Sequence, residues 1–169
     1  MYGDEASFQQ SGTVHRSWAP VGKGFYVLTP PVRKSAKVIG AVQIGKTPKW
    51  HFRLVDWFNA DSFIAFLDQL LQHYNGTKIH FITDNAKYHK GPKVRDWLKG
   101  KETLIELHFI PPYSPKLNAA EYLWKKTKKA TTHNRYFAKF DELIEALNRQ
   151  FARFQRSPAS IRTTIPHFA

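Results

Sequence analysis

Along the chain the period of the apolar positions changes, and each change marks an element. Val27-Leu28, Lys37–Ile44 and Trp50–Val55 carry the alternation or β-branching of strands, broken by Pro30-Pro31 and by Gly45 to Pro48. Residues 8–24 are polar and glycine-containing, and Arg16-Ser17-Trp18-Ala19-Pro20 predicts a turn between strands. Phe63, Ile64, Phe66, Leu67, Leu70, Leu71 and Tyr74 then recur at helical spacing, with Asn59 or Asp61 as N-cap and Gly76 as the stop. Lys78 to Thr83 reads as a buried strand. A helix follows from Pro92 to Lys99, ended by Gly100, and Leu104 to Ile110 is another strand, closed by Pro111-Pro112. A basic helix is predicted from Asn118 to Ala130, and an amphipathic one from Phe140 to Phe154.

The predicted order is β-β-β-α-β-α-β-α-α. An antiparallel three-strand meander followed by βαβ-type crossovers implies an α/β fold, a mixed sheet with two parallel strands, flanked by helices. Residues 1–169 fit one domain by size, with no internal repeat or linker. Ligands in such sheets favour the carboxyl ends of the strands, where Asp84 falls.

Composition narrows the partner. Lys and Arg number 26 against 13 Asp and Glu, a formal net charge of +13, which favours a phosphate-backbone binder over a merely solubilising surface. The chain has no cysteine, so disulfides, thiolate zinc sites and cysteine nucleophiles are excluded. No apolar run reaches the roughly 18 residues of a membrane span, and the start of the chain lacks a signal-peptide pattern. A cytoplasmic, nucleoid-associated location is the expectation, with no membrane partner.

Three carboxylates then stand out: Asp4 in Tyr2-Gly3-Asp4-Glu5, Asp84 in Ile82-Thr83-Asp84-Asn85, and Glu121 in Asn118-Ala119-Ala120-Glu121. The first two lie at or near the ends of strand-like runs and the third opens a helix, an arrangement able to hold two divalent ions for phosphodiester chemistry. Each has a plainer explanation. Asp84-Asn85 suits a turn, and Glu121 suits a capping box with Asn118 or an ion pair with Lys125. Glu5, next to Asp4 on a strand, would point to the opposite face. Lys125 and Lys128 share the face of Glu121 and are expected to meet DNA phosphates, against the reading of a solvated face. Trp18 and Trp124 suit either base stacking or the core.

Thr83-Asp84-Asn85-Ala86 with His89, and Pro111-Pro112-Tyr113-Ser114-Pro115 with Leu117-Asn118, Glu121 and Trp124, resemble the signature of the DDE endonuclease superfamily. The likeness is to insertion-sequence transposases of the mariner-related group. Asp4-Glu5, with Arg16 to Pro20 and Gly22, resembles the group's first motif, although Ala119 and Ala120 depart from its usual proline and larger apolar residue. The resemblance implies an RNase H-like catalytic domain in which Asp4, Asp84 and Glu121 hold two Mg²⁺ or Mn²⁺ ions. It implies cleavage at transposon ends and 3′-hydroxyl strand transfer into target DNA, by a homo-oligomer on double-stranded DNA. Lys116, Lys125, Lys128, Asn85 and His89 are expected on the DNA side, with packing or turn stabilisation favoured for His89. Related full-length transposases carry a helix-turn-helix module before the first aspartate; here three residues precede Asp4, and the module is expected to be absent or supplied by a separate polypeptide. The alternatives are a catalytically silent DNA-binding fragment and a non-transposing RNase H-like nuclease.

Overall fold

The computed structural model describes residues 1–23, 26–28, 31, 34–112, 114–165 and 167–168. Pro30 and Tyr113 of the sequence reading lie outside them. In chain order the elements are β1 (Tyr2–Gln9), β2 (Ser35–Gln43), β3 (Lys49–Val55), α1 (Ala60–His73), β4 (Ile79–Thr83), α2 (Pro92–Leu98), β5 (Ile105–Phe109), α3 (Ala119–Thr131), α4 (Phe140–Arg156) and α5 (Pro158–Arg162). The strands form one sheet ordered β3-β2-β1-β4-β5. β1, β2 and β3 pair antiparallel, while β1 with β4 and β4 with β5 pair parallel.

The first strand of the meander is therefore Tyr2–Gln9, and the strand expected at Val27-Leu28 does not form. The reason is physical. β1 buries Ala6 and Phe8 on one face and Gly3 on the other, among polar neighbours. That is too little apolar content for a period to show, yet its backbone is paired on both sides. Gly3 is required there, because a Cβ would lie 2.0 Å from the Phe81 ring.

Each sheet face has its own core. On one, α3, α4 and α5 cover Phe8, Val38, Val42 and Trp50, with Trp124, Phe151 and Phe154 from the helices. Trp124 meets Trp50 edge-to-face at 4.9 Å between centroids, so it belongs to the core and does not stack on bases. Gly40, opposite Asp4 in the ladder, leaves room for both indoles: a Cβ would stand 2.4 Å from Trp50 and 2.6 Å from Trp124. On the other face α1 and α2 pack over Ile39, Ala41, Ile79, Phe81 and Ile105. The α1 start is a full capping box between Asn59 and Ser62, which decides for Asn59 over Asp61.

Candidate active site

Three elements deliver the three carboxylates to one cleft of about 350 Å³. Asp4 comes from β1, Asp84 from the residue just beyond β4, and Glu121 from the first turn of α3. Asn118 joins two of them: its side-chain oxygen caps α3 by accepting from Ala120 N at 3.1 Å, and its Nδ2 donates to Gly3 O at 3.0 Å. Ala119 and Ala120 are fully buried, and their small side chains admit the helix end against the sheet. The departure from larger residues at those positions thus has a packing role. Pro111, Pro112, Ser114 and Pro115 close the cleft from the side.

The plainer explanations of Glu121 do not hold. The Asn118 side chain accepts from Ala120 N, the Glu121 N–H donates only to the Asn118 backbone carbonyl, and no capping box forms. Lys125 lies over the Tyr122 ring at 5.4 Å, and the described ion pairs do not include Glu121 with Lys125. The Glu121 carboxylate instead acts on Asp4. Burial, then the charges of Glu121, Glu5 and Asp84, push the Asp4 carboxyl up to about 8. This crowding of negative charge is what a divalent cation relieves. Carboxylate oxygens in a chain without thiols suit a hard ion such as Mg²⁺ or Mn²⁺, so the donor set fits. The three acids are spread more widely than one ion's cage. Among the described residues, the groups with ligand atoms within 4.8 Å of one another are Glu5–Asp84–His89 and His80–Glu106–His108.

Glu5 and His89 form a relay that sequence reasoning missed. Glu5 does lie on the sheet face opposite Asp4, as expected, but Asp84 stands past the end of its strand and is reached from that side. His89 Nε2 lies 2.9 Å from Glu5 Oε1, and its Nδ1 3.1 Å from Asp84 Oδ1. Asp84 Oδ1 also accepts from Ala86 N at 2.9 Å. Burial opposes charge on the imidazole, but the hydrogen bonds to Asp84 and Glu5 outweigh it and push His89 up to about 9. The His89 bond in turn holds Asp84 below its usual range. The side chain of His89 is inaccessible to solvent, its ring tilted against Phe63 at 4.2 Å between centroids, which corrects a place on the DNA side and agrees with the packing role favoured for it. Its only signal in the sequence was its position in the second motif.

The remaining expected residues divide by exposure. Lys116 and Lys125 are exposed and Lys128 half-buried, all near the cleft along the chain. Asn85 lines the cleft and bridges the strand ends, donating from Nδ2 to Ile110 O and accepting from Lys90 Nζ. Lys126 is drawn away from the cleft, donating to Thr164 Oγ1 at 2.8 Å and to Ser160 O. Trp18 is fully exposed. No helix among the described residues is long and apolar enough to cross a membrane.

Comparison with known proteins gives one consistent result. A family model described as DDE superfamily endonuclease matches residues 1–144. An insertion element IS630 uncharacterized 39 kDa protein of Shigella sonnei is 27% identical over 145 residues, which are 85% of this chain and 42% of that protein. An uncharacterized protein of Sinorhizobium fredii is 34% identical over 70 residues, 41% of this chain and 48% of that protein. Among solved structures, the Mos1 mariner paired end complex with Mn superposes with a TM-score of 0.64 at 20% identity, covering 97% of this chain and 52% of that one. The catalytic domain of Mos1 mariner transposase gives 0.60 at 18% identity, covering 97% and 77%. The fold is thus RNase H-like, and the chain spans about half the length of the curated relatives it matches.

Proposed function

We propose that this chain, which belongs to the DDE superfamily of endonucleases, is the catalytic domain of a transposase that cleaves DNA at transposon ends and joins the freed 3′-hydroxyl to target DNA. The observation that carries the reading is the single cleft in which Asp4, Asp84 and Glu121 meet, with Asp4 raised to about 8 by burial and by its acidic neighbours. Asp4, Asp84 and Glu121 would hold two Mg²⁺ or Mn²⁺ ions. When bound, such ions supply Lewis-acid polarisation of the phosphate and a lowered pKa for attacking water.

The chain's own residues prepare that chemistry. His89 and Ala86 N both engage Oδ1 of Asp84 and so restrain its carboxylate at the edge of the cleft. Asn118 locks the start of α3 to β1, setting the spacing of Glu121 from Asp4. In cleavage, a water oxygen attacks phosphorus and the bond to the 3′-oxygen breaks; in joining, the 3′-hydroxyl takes the place of water, and no bond to the protein forms. Lys116, Lys125, Lys128 and Asn85 would hold the backbone on either side. The whole assembly would be a homo-oligomer on DNA with helix-turn-helix recognition supplied outside residues 1–169.

The test is nicking of end-containing duplex in Mg²⁺ or Mn²⁺ by wild type beside Asp84→Asn. Nicking by wild type, lost in the variant and in chelator, is expected. Nicking retained by Asp84→Asn would remove the site, and equal nicking of end-free duplex would make the protein a general nuclease.

A further inference from the structure

A second pocket, of about 220 Å³, lies between the last turn of α3 and the middle of α4, and the reaction proposed above does not use it. Arg135, Arg149 and Arg153 line it, and no lining residue is acidic. Glu145 approaches Arg149 from outside at 3.6 Å, but both side chains are at least 70% exposed, so the pair is weak and screened. Gln150 lines the same pocket at 7% exposure, and its Nε2 has no hydrogen-bond partner. A buried donor left unpaired is costly, and an anionic oxygen in the pocket would satisfy it.

Two acceptors near the carbonyl end of α3, Thr127 O and Lys128 O, are already taken. Thr131 Oγ1 donates to Thr127 O at 2.7 Å, and Thr132 N and His133 N donate to Lys128 O at 2.9 Å. All three cations are arginines, whose planar forks match phosphate oxygens in pairs where lysine offers a point charge.

We propose that this pocket binds one backbone phosphate of double-stranded DNA, a proposal that rests on the reading of the chain as a DNA-cutting domain and adds a second anchor to it. Ala130, which lines the pocket, follows Glu121 by nine residues, or two and a half turns. The pocket therefore opens on the flank of α3 away from the carboxylates, roughly 14 Å along the axis. Lys125 and Lys129 are exposed on the helix surface between them. A duplex leaving the cleft crosses those lysines within about half a helical turn of DNA and reaches the arginines.

The test is duplex binding over a salt series, read by fluorescence anisotropy in EDTA, so that chemistry is off. Arg149→Gln/Arg153→Gln should lower the slope of log Kd against log salt by about one, since one phosphate contact contributes about 0.9. Gln150→Leu should weaken binding without lowering Tm, whereas a merely structural glutamine would lower Tm and leave binding alone. An unchanged slope in the arginine variant overturns the proposal. So does an equal fall in the control Arg53→Gln/Arg95→Gln, which removes the same charge elsewhere. Failure of the wild-type chain to bind duplex also overturns it. Absence of nicking counts against the catalytic reading alone, because binding is measured without metal.

Discussion

Asp4 sits where one more negative charge is least welcome, and its titration should govern how the protein responds to pH and to metal. Its folded pKa, about 8, lies above the 3.8 of a free aspartate. Between those values the folded state holds a proton that the unfolded state has released, so this contribution is complete below pH 4 and is lost as pH rises through 8. His89, raised from 6.5 to about 9, acts in the same direction at the upper end. Metal-free protein should therefore show a falling Tm from pH 6 to 9, with Asp4→Asn flattening the profile. The stabilisation given by Mn²⁺ should grow over the same interval, since deprotonated Asp4 would be the ligand under the proposed function. A profile unchanged by Asp4→Asn would remove the crowding argument. The relay makes a separate prediction. His89→Ala strips the counter-charge from Glu5, whose side chain is 11% exposed, and should cost about 3–5 kcal/mol in urea unfolding. A cost below about 1 kcal/mol would mean that the imidazole is not the bridge it looks to be. Asp84 and Glu121 were legible because turn and helix punctuation surround them. The Glu5–His89 pairing was not, because it joins residues 84 positions apart across a sheet face.

Among the elements, legibility followed apolar content. α1, α3 and α4 were readable from their stripes, and the observed spans differ from expectation by a few residues at the ends. β1 was legible only as a strand-like run at Asp4, without its extent to Gln9, although it is the strand on which the cleft is built. Its small and charged residues are there for the site and for close approach, as Gly3 against Phe81 shows, and periodicity cannot report that. The opposite error, at Val27-Leu28, arose because two β-prone residues carry no information about a pairing partner. At this scale the informative residue is Asn118, which both caps α3 and bonds β1. Loss of a cap alone costs about 0.5–2 kcal/mol. Asn118→Ala should show that loss in denaturant and, beyond it, weaker Mn²⁺ binding by calorimetry, because Glu121 is freed from its spacing to Asp4. Unchanged Mn²⁺ affinity alongside the stability loss would confine Asn118 to capping.

Across the whole molecule, the sheet is the one body shared by both cores, and the carboxylates are divided between it and the helix layer over one face. Trp50 and Trp124 pack under α4, while Trp97 lies with the opposite layer, its Nε1 donating to Asp68 at 3.2 Å. Neither layer keeps a buried face if the sheet parts, so unfolding should be a single event. Tryptophan fluorescence and far-UV circular dichroism should then give coincident urea transitions. Because Asp4 and Glu121 belong to different layers of that event, Mn²⁺ should move both probes' midpoints together, by a shift that rises with log ion concentration. Separated transitions, or a midpoint shift in one probe only, would mean that metal ties down a local segment and that the cleft is not assembled by the fold as a whole.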